Sequence, residues 1–267
     1  MGNSPRIVTL LTDFGLRDHY VASMKGVMLS LNPELHFVDI SHLIPPQDIF
    51  TAAFTLGQAV PCFPLGTIHL AVVDPGVGTA RKALVAMAGG HYFVAPDNGI
   101  LSYVFSVFES FSAYEITADH YFRKPISSTF HGRDVFAPVA AWLSKDIPLR
   151  QLGPPLENCV RLRIPVPTKV RDRLMQAAVL AVDQFGNLVT NLKPGDLPVY
   201  GIEARSCKML AGKREIASFR RTFGEGKPGE IFVVPGSSGY LEIVVREGSA
   251  AAELGLKPGA PIGVVMS

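Results

Sequence analysis

Apolar runs of strand length alternate with stretches of helical spacing over the first half of the chain. Residues 6–12 (RIVTLLT) form a short β-branched run that stops at Asp13-Phe14-Gly15. From Asp18 to Leu31 the apolar positions Val21, Met24, Val27 and Met28 recur at helical intervals, with Asp18 as expected N-cap and Asn32-Pro33 as stop. HFVDI at 36–40 reads as a second strand, Asp48 to Ala59 as a helix, and the continuous apolar run TIHLAVV at 67–73 as a buried strand. Further strands are expected at 84–88 and 91–95, and helices at 99–108 and 134–145, the last with Asp134 as N-cap. Strand-length apolar runs alternating with helices predict an α/β unit with a mostly parallel, buried central sheet.

The texture then changes. The proline-rich and partly basic stretch 147–172 reads as a linker. Beyond it come short apolar runs cut by glycine and proline (AAVLAVD, EIFVVPG, YLEIVV, PIGVVM), with only AAAELGL suggesting a short helix. The expected organisation is an α/β domain over residues 1–168 and an all-β barrel domain over 169–267.

Composition narrows the function classes. Of 267 residues, 48% are hydrophobic and 18% charged, enough apolar material for a real core. Basic and acidic residues nearly balance, 25 against 23, so no electrostatic footprint for nucleic acid or an anionic membrane is present. Three scattered cysteines (Cys62, Cys159, Cys207) make neither a disulfide scaffold nor a zinc site and suit a reducing compartment. No apolar run approaches the roughly 18 residues of a membrane span or resembles a signal peptide. A cytoplasmic protein is expected.

Ligands of open α/β sheets bind beyond the carboxyl ends of the strands, and acidic motifs fall there. Asp13 follows the first strand, Asp74 in LAVVDPGVGTAR follows a central one, and Asp97-Asn98 in YFVAPDNG follows another. STFHGRD adds His131. Any one strand-end Asp also serves as a helix cap or turn former. Together, Asp74, Arg81 across its glycine-rich turn, and His131 compose an acid, a guanidinium and an imidazole fit for one pocket. His69, inside a buried strand pattern, reads as a core residue. No His or acid pairs stand at metal-ligand spacing, so no metal is expected. In the second half, DQFGN offers Asp183, Phe185 and Asn187, and PGSSGYLEI offers Ser237, Ser238 and Tyr240. A phenyl ring beside an Asn amide has the makings of a purine pocket.

The motifs TDFG (12–15), DPGVGTAR (74–81), APDNG (95–99), FHGRD (130–134), DQFGN (183–187) and SSGYLEI (237–243) stand in the order found in the S-adenosyl-L-methionine (SAM) hydroxide adenosyltransferases. The chain therefore resembles these SAM hydrolases, relatives of fluorinase and chlorinase, over nearly its whole length. The resemblance implies hydrolysis of SAM to adenosine and L-methionine, with SAM as substrate and no cofactor. It also implies a homotrimer whose sites lie between the N-domain of one subunit and the C-domain of the next. Asp74, Arg81 and His131 match the family's water-activating set. Asp13 would hold the ribose hydroxyls, with Gln47, Asn98 and Phe130 nearby. Asp183 would meet the methionine ammonium, and Ser237, with Ser238 and Tyr240 in the same loop, its carboxylate. Asn187, Phe185 and Phe223 would frame the adenine. Three alternatives stand beside this reading: a halogenase of the same scaffold, a non-catalytic SAM or adenosine sensor, and a metal-dependent phosphoesterase. Asp74 would repel a halide, and the loop insertion typical of the halogenases is absent between Arg81 and the Asp97-Asn98-Gly99 turn.

Overall fold

The computed structural model of the chain describes residues 6–108, 110–197 and 207–266, in two units, Met1–Arg163 and Ile164–Ser267. The first unit runs β1 (Ile7–Thr12), α1 (Tyr20–Leu31), β2 (His36–Ser41), α2 (Ile49–Ala59), β3 (Ile68–Val72), β4 (Ala83–Ala88), β5 (His91–Pro96), α3 (Ser102–Val107), β6 (Phe111–Glu115) and α4 (Ala137–Leu143), the last entered through a π-turn, Gly132–Phe136. The sheet order is β2-β1-β3-β5-β4-β6. The pairs β1–β2, β1–β3 and β3–β5 are parallel, while β4 runs antiparallel to both its neighbours. The sheet is therefore mixed, with a single reversed strand.

Period-two alternation assigns the two faces. Val8 and Leu10 of β1 and Ile68, Leu70 and Val72 of β3 pack with Met24 and Met28 of α1 and the apolar residues of α4. Leu11 and Ala71 point the other way, onto Ala52 and Leu56 of α2 and Val104 and Phe105 of α3. Helices on both faces explain why these strands read as unbroken apolar runs.

Two local expectations are corrected. The helix after β1 starts at Tyr20 behind His19, which makes no side-chain cap, so Asp18 is an exposed residue outside it. Asp48, by contrast, does cap α2, accepting from the Thr51 backbone N–H at 2.9 Å. Residues 147–163 are not a free linker. Ala113 and Pro154 carbonyls accept from Leu156 and Glu115 N–H groups at 2.8 and 2.9 Å, which gives the outer edge of β6 partners. Leu152 and Leu156 are buried there.

In the second unit, β7 (Thr168–Arg171), β8 (Leu174–Val182), β9 (Leu188–Thr190), β10 (Cys207–Ala211), β11 (Arg214–Ile216), β12 (Ile231–Pro235), β13 (Leu241–Val245) and β14 (Pro261–Met266) join in one sheet, with α5 (Ala250–Leu254) as the short helix between β13 and β14. The order is β11-β10-β14-β8-β9-β13-β12, with β7 on β8, all pairs antiparallel. A bridge from Phe219 to Val233 brings the segment after β11 to β12, so the sheet comes close to closing as a barrel. Among the described residues no helix is long and apolar enough to cross a membrane.

His69 is a core residue, as its strand pattern predicts. It is fully buried in β3, with Nδ1 2.8 Å from the Thr9 hydroxyl and Nε2 3.3 Å from His91 Nδ1. Burial, with a smaller push from His91, lowers its pKa to about 3. The unfolded chain takes up this proton near pH 6.5 and the folded chain refuses it. Stability is therefore lost as pH falls from 6.5 toward 3, by roughly 1.4 kcal/mol per pH unit for this residue. Urea unfolding across that window should show the slope, and His69→Gln should make it shallower. An unchanged slope in the variant would contradict the assignment.

Candidate functional site

The chain leaves β1 through α1 to β2 on one side, then returns through α2 to β3 on the other. Strand order thus reverses between β1 and β3, and a crevice opens beyond their carboxyl ends. Asp13 lies one residue past β1 and Asp74 two past β3. Because β4 is reversed, its amino end lies at this same edge, with Ala83 opposite Pro96 of β5. That reversal delivers Arg81, two residues before β4, to the crevice.

Asp74, Arg81 and His131 form one hydrogen-bonded chain. Arg81 Nε donates to Asp74 Oδ1 at 2.9 Å and Oδ2 at 3.0 Å, and its Nη2 closes the pair on Oδ2. The same Nη2 lies 3.0 Å from His131 Nδ1. The acid and guanidinium side chains are only 5% and 11% exposed, and the guanidinium carbon stands 5.1 Å from the Phe136 ring centroid. A guanidinium has donors only, so Nδ1 must accept, and a neutral His131 then carries its proton on Nε2. Burial, followed by the Arg81 charge, holds the imidazole below its ordinary pKa, against a smaller opposite pull from Asp74 and Asp134. The neutral form is the one this geometry requires. Gly78 lets the two loops meet: its φ is +76°, and a Cβ there would stand 2.4 Å from the Ser128 carbonyl oxygen.

Asp13 Oδ2 accepts from the Gln47 backbone N–H at 2.8 Å, and Gln47 holds a φ of +67°. Such strain in a non-glycine residue concentrates at functional sites. Phe130 is buried against Phe14 and Tyr20, with ring centroids 5.8 and 5.1 Å away. This aromatic corner stands beside Asp13 and His131 in sequence. Asn98 is committed within the fold: its Nδ2 donates to the Val73 carbonyl at 2.8 Å and its Oδ1 accepts from Ile100 N–H at 3.2 Å, tying the end of β3 to the turn after β5. Asp97 is buried and turned onto the Val160 N–H at 2.9 Å.

The expectation for Asp134 is corrected. It does not cap a helix but lies fully buried within the π-turn. Its carboxylate accepts from Arg133 Nε at 2.7 Å and Nη2 at 2.8 Å, from Arg123 at 3.1 Å and from the Ser127 N–H at 2.9 Å. It anchors the loop that carries Phe130 and His131.

The second unit has its own cavity, of about 640 Å³, lined by Asp183, Phe185, Asn187, Phe223, Ser237 and Glu242 among others. Asp183 shapes the turn between β8 and β9. Its Oδ1 accepts from the Phe185 and Asn187 N–H groups at 2.9 and 2.8 Å, and its Oδ2 from Asn187 Nδ2 at 2.8 Å. The Phe185 ring, 78% exposed, and the half-exposed Phe223 ring offer free stacking faces. Ser238 and Tyr240 are outside this lining. The Ser238 hydroxyl is buried without a hydrogen-bond partner among the described residues, and burial raises the Tyr240 phenol pKa. Glu242, within SSGYLEI, is a lining residue that the motif pattern does not mark; its one sequence signal is an acid inside an otherwise apolar strand. Among the described residues no group of three or more His, Cys, Asp or Glu gathers as a metal site would require.

Comparison with known proteins gives concordant matches. Residues 8–153 match the model of the SAM hydroxide adenosyltransferase N-terminal domain, and 177–263 that of the C-terminal domain. An (R)-S-adenosyl-L-methionine hydrolase of Salinispora tropica is 42% identical over 94% of this chain and 95% of the relative. A fluorinase of Actinoplanes sp. is more distant, at 28% over 98% of each. The crystal structure of a conserved protein from Thermotoga maritima superposes with a TM-score of 0.89 at 38% identity, covering 97% of this chain and 99% of that one.

Removing Asp134 leaves two guanidiniums and a backbone N–H without their anion. Asp134→Ala should cost roughly 2–4 kcal/mol, read by urea unfolding. A loss below half a kcal/mol would show that the loop is held by other contacts.

Proposed function

The chain belongs to the SAM hydroxide adenosyltransferase family, and we propose that it hydrolyses SAM to adenosine and L-methionine through a water held by Asp74, Arg81 and His131. The single observation that carries this reading is the unbroken contact Asp74–Arg81–His131 Nδ1 at the β1/β3 crevice. The reaction forms a C5′–O bond and breaks the C5′–S bond. The bonding pair leaves with sulfur, methionine departs as a neutral thioether, and one proton goes to solvent. No general acid is needed. What is required is a nucleophile aligned opposite sulfur, an advantage of up to roughly 7–11 kcal/mol in ideal cases.

The hydrogen-bond directions suggest separate roles. His131 presents an Nε2–H, a donor that holds the nucleophilic oxygen and stabilises its hydroxide form. Arg81 supplies the positive charge that favours hydroxide. Of the three, only Asp74 keeps lone pairs free, so it is the proton acceptor in this scheme. Asp13, with Gln47 and the Phe130 corner, would bind the ribose. Asn98 acts from behind, positioning the Asp74 turn. In the second unit Asp183 would take the ammonium, Ser237 the carboxylate, with Ser238 and Tyr240 supporting that loop, and Phe185, Asn187 and Phe223 the adenine. The proposal includes a homotrimer in which both sets of groups serve one substrate, and a cytoplasmic location, which the free cysteines suit. The buried carboxylate of Asp74 weighs against a halide nucleophile.

The test is incubation of the protein with SAM, following adenosine and methionine by chromatography. Both should form in equal amounts and with chelator present. Binding without turnover would indicate a sensor, and loss with chelator a metal enzyme. Asp74→Ala and His131→Ala should each lower kcat by about 100-fold or more while SAM affinity stays within a few-fold. Equal losses in both would make these binding groups instead. Asp13→Ala should weaken adenosine binding by about 10-fold or more, read by calorimetry; unchanged affinity would contradict the ribose assignment.

A further inference from the structure

Glu242 is a buried acid for which the roles above provide no use. Along β13, Leu241, Ile243 and Val245 face the barrel core, and Glu242 points to the opposite face, which it shares with Val244. It is 7% exposed, yet its carboxylate has no hydrogen bond or ion pair with any described residue, and it opens onto the cavity that Asp183 also lines. A carboxylate in such a place is costly unless something pairs with it. The nearest cation in sequence on that face, Arg246, lines the same cavity but makes its hydrogen bonds to the Phe223 carbonyl at 2.9 Å and to Glu247 at 3.4 Å, not to Glu242. Burial, then the charge of Asp183, pushes the Glu242 pKa up. Three acids, Asp183, Glu242 and Glu247, thus line the cavity with one cation, Arg246; Arg246 pairs with Glu247, the turn amides hold Asp183, and Glu242 has no hydrogen-bond partner among the described residues.

The carboxylate also has a place built for it. An ideal Cβ on Gly236 would fall 1.9 Å from Glu242 Oε1 and 2.4 Å from its carboxyl carbon. No other atom stands closer to that Cβ position, and Gly236 is not among the residues of positive φ. Backbone conformation does not require glycine there; the acid does.

We propose that Glu242 is a specificity-determining residue, which with Asp183 forms a two-acid seat selecting the cationic sulfonium of SAM over its neutral thioether counterpart. This rests on the SAM reading above and deepens it. SAM carries a net positive charge from its sulfonium and ammonium less one carboxylate, while methionine and S-adenosylhomocysteine are net neutral. Asp183 can satisfy the ammonium, common to all three. The second carboxylate rewards only the extra charge. The same preference would favour release of methionine once the C–S bond has broken, because the product has lost the charge the seat was set to receive.

The experiment compares the KM for SAM with the inhibition constant for S-adenosylhomocysteine in the wild type, Glu242→Gln and Gly236→Ala. Glutamine keeps the shape and removes the charge. Alanine at 236 leaves the acid in the sequence and displaces its carboxylate. Both variants should lose about 10-fold of the preference for SAM, the change expected of one partly buried charge pair. Their S-adenosylhomocysteine inhibition constants should stay within a few-fold of wild type, which also shows that they fold. A preference retained in Glu242→Gln, or a wild type without one, overturns this assignment alone. A wild type that neither binds nor turns over SAM overturns the substrate reading and this inference with it.

Discussion

One guanidinium holds the first unit's chemistry together. Arg81 grips both oxygens of Asp74 and reaches the imidazole nitrogen of His131 with the same Nη2. Three residues from three parts of the chain therefore have a single orientation. The bonds are directional as well as strong. A donor-only group facing Nδ1 fixes which imidazole nitrogen bears the proton, and the carboxylate and guanidinium meet with little exposure to water, where charge-assisted hydrogen bonds are strong. Much of the local structure serves this contact: the strand reversal that brings Arg81 to the crevice, the glycine at 78 that admits Ser128, and the Asp134 anchor under the loop carrying His131.

The acids in the two units are used in contrasting ways. Asp134 is held by two arginines and a backbone N–H, Asp74 by one arginine that leaves it a free lone pair, and Asp183 by the amides of its own turn. Glu242 keeps a buried carboxylate that opens onto a cavity and has no hydrogen bond to a described residue. A sulfonium substrate suits that division, because it brings its own positive charge and loses it in the reaction.

Much of this was legible in the chain. The strand-end positions of Asp13 and Asp74 followed from apolar runs stopping at acids, and the barrel from short runs cut by glycine and proline. The illegible parts have physical reasons. β6 is half exposed and alternates weakly, so FSAYE lacks a clear strand signature. Prolines at 154 and 155 suggested a linker, but they border a segment whose backbone covers the β6 edge. Asp134 had the position of a cap, and only the fold shows Arg123 arriving from another loop to bury it. Glu242 was hidden by its strand, since an acid there reads as solvent-facing until the cavity and Gly236 are seen.

The central claim is that a water molecule attacks C5′ of SAM. The most direct measurement is turnover in oxygen-18 water with mass analysis of both products. The account predicts one oxygen-18 in adenosine, on its 5′ hydroxyl, and none in methionine. Adenosine formed without the label, or label in a free ribose fragment with adenine released, would contradict it.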